Sequence, residues 1–226
     1  NGGVSEREIL SIYDSMCRIH YKLGLQTNGL YIAYGIVQRY LAFNTVTPRQ
    51  LKILASTAVM IGSKMDDIYP ASSDDLVQIG EGSFTRDELF AMETEVSNAV
   101  GFDFVFPTPL YFLTEFLRLS GQSREEFLYA RYVLELLHSS PIQYRMCGSQ
   151  LAALSLLAAR YGHYEDLWPD NVARFTNYSL DTLCEDFEYV RQLLCDWKRP
   201  ESNFIRRKYG CKDLLGVAYF KVPGPL

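Results

Sequence analysis

The stretch Ile61–Pro70, "IGSKMDDIYP", ends a run of small and aliphatic residues on a lysine, two acids and a Tyr-Pro stop. A lysine in a last helical turn suits the negative end of the helix dipole, so Lys64 reads first as a cap. Upstream, Leu51, Leu54, Ala55, Ala58 and Val59 recur at three- and four-residue spacing, the period of a helix. The run from Gln50 to Met65 is small or apolar nearly all round, which predicts a helix buried among neighbours. Lys64 then marks where that helix emerges, with Asp66 and Asp67 on exposed chain beside it.

Outward from this stretch the chain reads as helices. "SERE" from Ser5, "TPRQ" from Thr47, "TRDE" from Thr85 and "SREE" from Ser123 fit the capping box, in which a Ser or Thr side chain and a Glu or Gln three residues on cap each other's backbone. Pro48 falls at a first helical position, where its missing N–H costs nothing. Strand alternation bounded by hairpin turns is scarce, so the fold class is all-α. The order of motifs repeats. "LYIAY" (Leu30–Tyr34) returns as "LYARY" (Leu128–Tyr132), "QLKILASTA…DDIYP" (Gln50–Pro70) as "QLAALSLLA…EDLWP" (Gln150–Pro169), and "FTRDEL" (Phe84–Leu89) as "YSLDTL" (Tyr178–Leu183). Three matches in one order predict a duplicated helical module. The break is expected in "GFDFVFPTP" (Gly101–Pro109), where a glycine and two prolines oppose helix. The expected domains are 1–105 and 106–200, with a tail at 201–226.

With 226 residues and 48% hydrophobic composition the chain can bury a sizeable core. No apolar run approaches the roughly 18 residues of a membrane span, and no signal-peptide pattern opens the chain, so a soluble intracellular protein is expected. Five cysteines without a CxxC or Cys/His cluster argue against a disulfide framework or a zinc site. The net charge of −5 is divided: from Lys198 onward seven Lys/Arg face two Asp/Glu, whereas Lys64–Glu95 carries nine acids against two bases. Such an acidic body repels phosphate backbones and favours a basic protein partner, although an ordinary solvated acidic face fits as well.

Catalytic chemistry finds little support. "DDIYP" begins like the aspartate-rich motif of an all-α isoprenoid synthase, but magnesium needs clustered oxygen ligands and Asp74 and Asp75 fall in another register. His20, His138 and His163 share no motif and suit packing roles. "GCK" at Gly210–Lys212 lacks the glycine spacing of a phosphate loop. No catalytic residue, metal or cofactor is expected.

Together "QRYLA" (Gln38–Ala42), "IGSKMDDIYP", "FTRDELFAMETEV" (Phe84–Val96) and "GFDFVFPTPLYFL" (Gly101–Leu113) resemble the cyclin family over nearly the whole chain. The tail "RRKYGCKDLLGVA" (Arg206–Ala218) is similar to the end of mitotic, B-type cyclins. The resemblance implies tandem cyclin boxes of about five helices each. It also implies a regulatory subunit that binds and activates a cyclin-dependent protein kinase, controls cell-cycle progression and works in nucleus and cytoplasm. By resemblance Lys64 and Glu93 meet the kinase's mobile helix and adjacent backbone. Met65, Val100, Phe102 and Phe104 form the apolar part of that surface, Asp66 and Asp67 face the partner's basic side chains, and Ser97 stands where a leucine is usual.

"EREILSIY" (Glu6–Tyr13) aligns with the family's "MRAILVDW", which belongs to a groove that docks substrates or inhibitors bearing an Arg-x-Leu motif. In that alignment Arg7, Ile9 and Leu10 are kept. Glu6 and Tyr13 differ, Lys52 replaces a glutamine, Met16 stands at an acid's position, and Gln38 replaces the aspartate that pairs with the arginine. The implied docking groove is therefore degenerate. An alternative is a transcription-factor-like tandem box that binds DNA or the transcription machinery, for which the acidic body is a poor match. A plain helical scaffold is the third reading.

Overall fold

The computed structural model describes residues 4–120, 123–161, 166–196, 204–222 and 224. His163, Glu165 and the start of the basic tail at Lys198 lie outside them. The chain divides into two units after Thr108, and each is built of helices. In the first, α1 (Glu6–Leu23), α2 (Thr27–Phe43), α3 (Pro48–Asp66), α4 (Ser73–Ile79) and α5 (Arg86–Ala99) follow one another. In the second, α6 (Pro109–Ser120), α7 (Arg124–His138), α8 (Gly148–Arg160), α9 (Asp170–Thr176) and α10 (Leu180–Asp196) take the same order of long, long, central, short and long, and α11 (Phe204–Tyr209) is added. The repeated motifs fall on equivalent helices: "LYIAY" on α2 and "LYARY" on α7, the two "QL" runs on α3 and α8.

Local chemistry starts the helices where expected. Ser5, Thr47 and Thr85 cap α1, α3 and α5 in reciprocal boxes with Glu8, Gln50 and Glu88. Ser123 caps α7 through the Glu126 N–H at 3.1 Å, but the Glu126 side chain, buried, turns to Arg160 at 3.4 Å instead of reaching back. The Arg160 guanidinium, buried at the end of α8, also donates to Leu167 O at 3.1 Å and Asp166 O at 2.9 Å, and a buried cation needs a carboxylate more than the exposed cap does.

The central helices are buried as their composition demands: α3 from Leu51 to Ser63 except Lys52, and α8 from Leu151 to Arg160. α3 crosses α2 at Gly62 and Gly29, where a Cβ on Gly62 would lie 2.3 Å from the Gly29 carbonyl oxygen. Only glycine permits backbones that close.

The segment 101–108 belongs to the first unit. Phe106 lies against Gly35, its ring under the Arg39 guanidinium at 4.2 Å, Arg39 pairs with Asp103 at 3.3 Å, and Thr108 donates to Asn28 Oδ1 at 2.9 Å. The described end of the chain packs onto α7: Lys208 Nζ meets both oxygens of Glu135 at 2.8 and 2.9 Å, the Tyr209 hydroxyl donates to Glu135 at 2.6 Å, and all three side chains are buried. Those residues thus continue the second unit's core.

Candidate functional site: the end of α3 and the cleft beside α1

Lys64 lies in the last turn of α3 and Glu93 on α5, a helix anchored by the buried Leu89, Met92 and Val96. Their side chains meet at 2.5 Å while remaining 45% and 24% exposed. An exposed pair of this kind adds only about 0–1 kcal/mol to a fold. Chemically it is unsaturated: the ammonium has three donors and the carboxylate two acceptor oxygens, so both ends can still take a partner's backbone groups. Met65 is exposed beside it, and Ile68 and Tyr69 stand out at 90% and 88%. These last two were missed in the sequence, where Ile-Tyr-Pro reads only as a stop. A hydrophobic residue bracketed by acids and a proline is the signal that would have found them.

Beyond α5 the chain turns through Gly101 and Phe102, both at positive φ (66° and 56°). For a phenylalanine that conformation costs about 1–2 kcal/mol. The turn is held by the Phe102 N–H on Ser97 O at 2.8 Å, and it leaves the ring exposed, edge-on to the half-buried Phe104 at 6.3 Å. Val100 is half-buried. Ser97 is buried, so in this chain it belongs to the packing of α5 and not to the exposed surface.

Asp66 and Asp67 depart from their expected role. Both are half-buried and turn inward: Asp67 Oδ1 accepts from Gln26 N at 2.8 Å, Asp66 Oδ2 from Gly29 N at 2.8 Å, and Asp66 Oδ1 from Asn28 Nδ2 at 3.4 Å. The α2 N-cap, Gln26, makes no side-chain cap bond of its own. The aspartates supply acceptors and negative charge to an otherwise open positive helix end.

The residues assigned to docking are divided between surface and core. A cleft of about 370 Å³ opens between α1, α3 and the turn 79–84, with Ile12, Ser15, Arg18, Ile19, Lys52 and Glu81 among its walls. Of the residues assigned to docking from the sequence only Lys52 lines it. Tyr13 is fully buried, its ring 5.2 Å from Tyr34, and Met16 is buried too. Glu6 and Arg7 are exposed in the first turn of α1, Ile9 and Leu10 half-buried. On a helix Tyr13 lies a hundred degrees round from Ile12, whereas Met16, four residues on from Ile12, shares its side of α1 and is buried with it.

His20 and His138 are packing residues. His20 Nε2 meets Gln26 O at 2.7 Å, and His138, buried, meets Leu134 O at 2.8 Å. Among the described residues no three His, Cys, Asp or Glu side chains gather to hold a metal ion, and no helix is long and apolar enough to cross a membrane.

Residues 3–105 match the family profile "Cyclin, N-terminal domain" and residues 107–223 the profile "Cyclin, C-terminal domain". Cyclin-A1 of Homo sapiens is 30% identical over 208 residues, 91% of this chain and 44% of its own length. G2/mitotic-specific cyclin S13-6 of Glycine max is 26% identical over 226 residues, 97% of this chain and 50% of its own length. The chain thus spans about half the length of these curated relatives. Among solved structures, a viral cyclin from herpesvirus saimiri superimposes with a TM-score of 0.75 at 16% identity, covering 86% of this chain and 87% of that one, a likeness of fold. Two profile matches that between them cover almost every residue, on two helical units of one design, place this chain in the cyclin family.

Proposed function

We propose that the chain is the regulatory subunit of a cyclin-dependent protein kinase, which it binds and activates in nucleus and cytoplasm to control cell-cycle progression. Members of the family partner with such kinases and are regulatory subunits, not enzymes. The observation that carries the reading is the Lys64–Glu93 pair, left exposed and unsaturated among Met65, Ile68, Tyr69 and Phe102, where the fold itself gains little from any of them. A partner helix that covers the apolar side chains and offers its backbone to the pair would be held only in the orientation that fits. The bound kinase population then shifts toward that state by the difference in affinity between the two states.

The DNA-binding alternative rests on the basic tail, and two of its cations, Arg206 and Lys208, are buried, the second against Glu135. Affinity purification of the tagged chain from its source cell is the test. The expected result is a protein kinase of the cyclin-dependent class retained at about equal molar amount, and a preparation that carries no such kinase counts against the proposal.

A further inference from the structure

Three hydroxyl residues precede a proline in this chain: Thr47, Thr108 and Ser140. The fold treats them unequally. Thr108 is 2% exposed and its hydroxyl donates to Asn28 Oδ1 at 2.9 Å, and Ser140 is 2% exposed with its hydroxyl on Leu137 O at 2.8 Å. Thr47 lies on the surface together with Pro48, Arg49 and Gln50. Upstream, Thr45 is exposed and Phe43 almost wholly so, and from 43 to 50 only Val46 is buried. The Thr47 backbone is extended, φ −81° and ψ 162°, at the end of the four non-helical residues that join α2 to α3.

We propose that Thr47 is a phosphorylation site for a proline-directed serine/threonine kinase. Its hydroxyl takes the γ-phosphoryl group of a nucleoside triphosphate. The bond from Thr47 Oγ1 to phosphorus forms as the bond from phosphorus to the β,γ-bridging oxygen breaks, the nucleoside diphosphate leaves, and the hydroxyl proton passes to the kinase's base. The site goes beyond the regulatory role proposed above and does not rest on it. Pro48 has no N–H, so a kinase groove without an acceptor at that point holds it at no loss, whereas any other residue would bury an unpaired donor. The cap itself does not call for the proline, since Ser5, Thr85 and Ser123 cap their helices with Glu6, Arg86 and Arg124 in that place. To enter a kinase the first turn of α3 must open, and little holds it. The capping-box bonds between Thr47 and Gln50, at 2.9, 3.0 and 3.3 Å, are all exposed, and beyond them stands Leu51 N on Thr47 O at 2.9 Å. Helix ends open at low cost, and the buried side chains from Leu51 onward keep the rest of α3 in place. Once formed, the phosphate carries about −1.5 to −2 charges at the positive end of α3. Arg49, two residues on, pairs with Glu88 at 2.6 Å, and Glu88 keeps the Thr85 N–H at 2.9 Å when the guanidinium turns to the phosphate. The modification therefore leaves the first unit folded.

The test uses the whole chain, ATP with magnesium, and a proline-directed kinase that is active without this chain. The expected result is a single phosphate per chain, located by fragmentation mass spectrometry at Thr47 in the tryptic peptide 40–49. Pro48→Ala, which leaves Thr47 and its cap in place, should lower the initial rate at least about tenfold. By circular dichroism the modified chain should melt no lower than the unmodified one. Absence of phosphate, phosphate on Thr45 or elsewhere with Thr47 bare, or an unchanged rate for Pro48→Ala would overturn the inference, and a melt lowered by the modification would overturn the placement of the phosphate at the start of α3.

Discussion

Lys64 and Asp66 are two residues apart and do opposite work. The Lys64 side chain is 45% exposed and pairs with Glu93, so Lys64→Ala should change unfolding free energy by about 0.5 kcal/mol or less. Loss of a charged contact desolvated in a complex should weaken kinase binding by about 2 kcal/mol or more. Asp66→Ala should show the reverse, losing about 1 kcal/mol of stability because Gly29 N and Asn28 Nδ2 lose their acceptor, with little direct effect on binding. Urea unfolding and calorimetric titration of each variant against the same kinase check the pair, and equal losses of both quantities for Lys64→Ala would contradict its placement at an interface. The resemblance singled out Lys64 and Glu93 by their motifs, and the structure brings the two side chains together. The role of the aspartates was not legible: capping rules read four residues at a time, and here the cap reaches back 37 and 41 positions, a tertiary event that no local pattern announces.

Among the elements, α7 carries the clearest electrostatic consequence. Burial alone would raise the Glu135 carboxyl, but Lys208 and Arg131 together with hydrogen bonds from Lys208 and Tyr209 hold it below the ordinary value. His138, one turn on, is pushed down to about 4, first by burial, against the smaller upward pull of its Leu134 hydrogen bond and of Glu135. Both folded values lie below the unfolded ones, so both groups stabilise the fold at higher pH and lose that contribution on acidification. For His138 the window runs from about 6.5 down to about 4, a loss on the order of 3 kcal/mol. For Glu135 it lies lower, beneath the normal carboxylate range. Urea midpoints should therefore be flat above pH 7 and fall between pH 6.5 and 4, and His138→Leu should remove most of that slope. An unchanged slope in the variant would contradict the assignment. Helix starts at Ser5, Thr47 and Thr85 and the buried character of α3 and α8 were plain from spacing and composition, because these are short-range properties. The turn of Glu126 from cap to Arg160, and the burial of Lys208 and Tyr209 in what read as a tail, depend on partners 34 and 73 or more residues away.

For the molecule as a whole, the repeat was the most informative pattern, since α2, α3 and α5 have their counterparts α7, α8 and α10 in the same order, and a duplicated module leaves its trace in sequence even where pairwise identity is low. Of the residues assigned to docking, Tyr13 packs into the core, a tertiary event that an eight-residue motif does not announce, while Glu6, Arg7 and Lys52 remain exposed. The central claim concerns the first unit's exposed surface and its effect on another protein. Purified chain should be titrated into each cyclin-dependent kinase of the source organism with a basic peptide substrate, and phosphate transfer followed. The predicted result is a rate that rises and saturates with added chain for at least one kinase and does so at higher concentration for Lys64→Ala. Phosphate transfer unchanged across every kinase of that class would contradict the account.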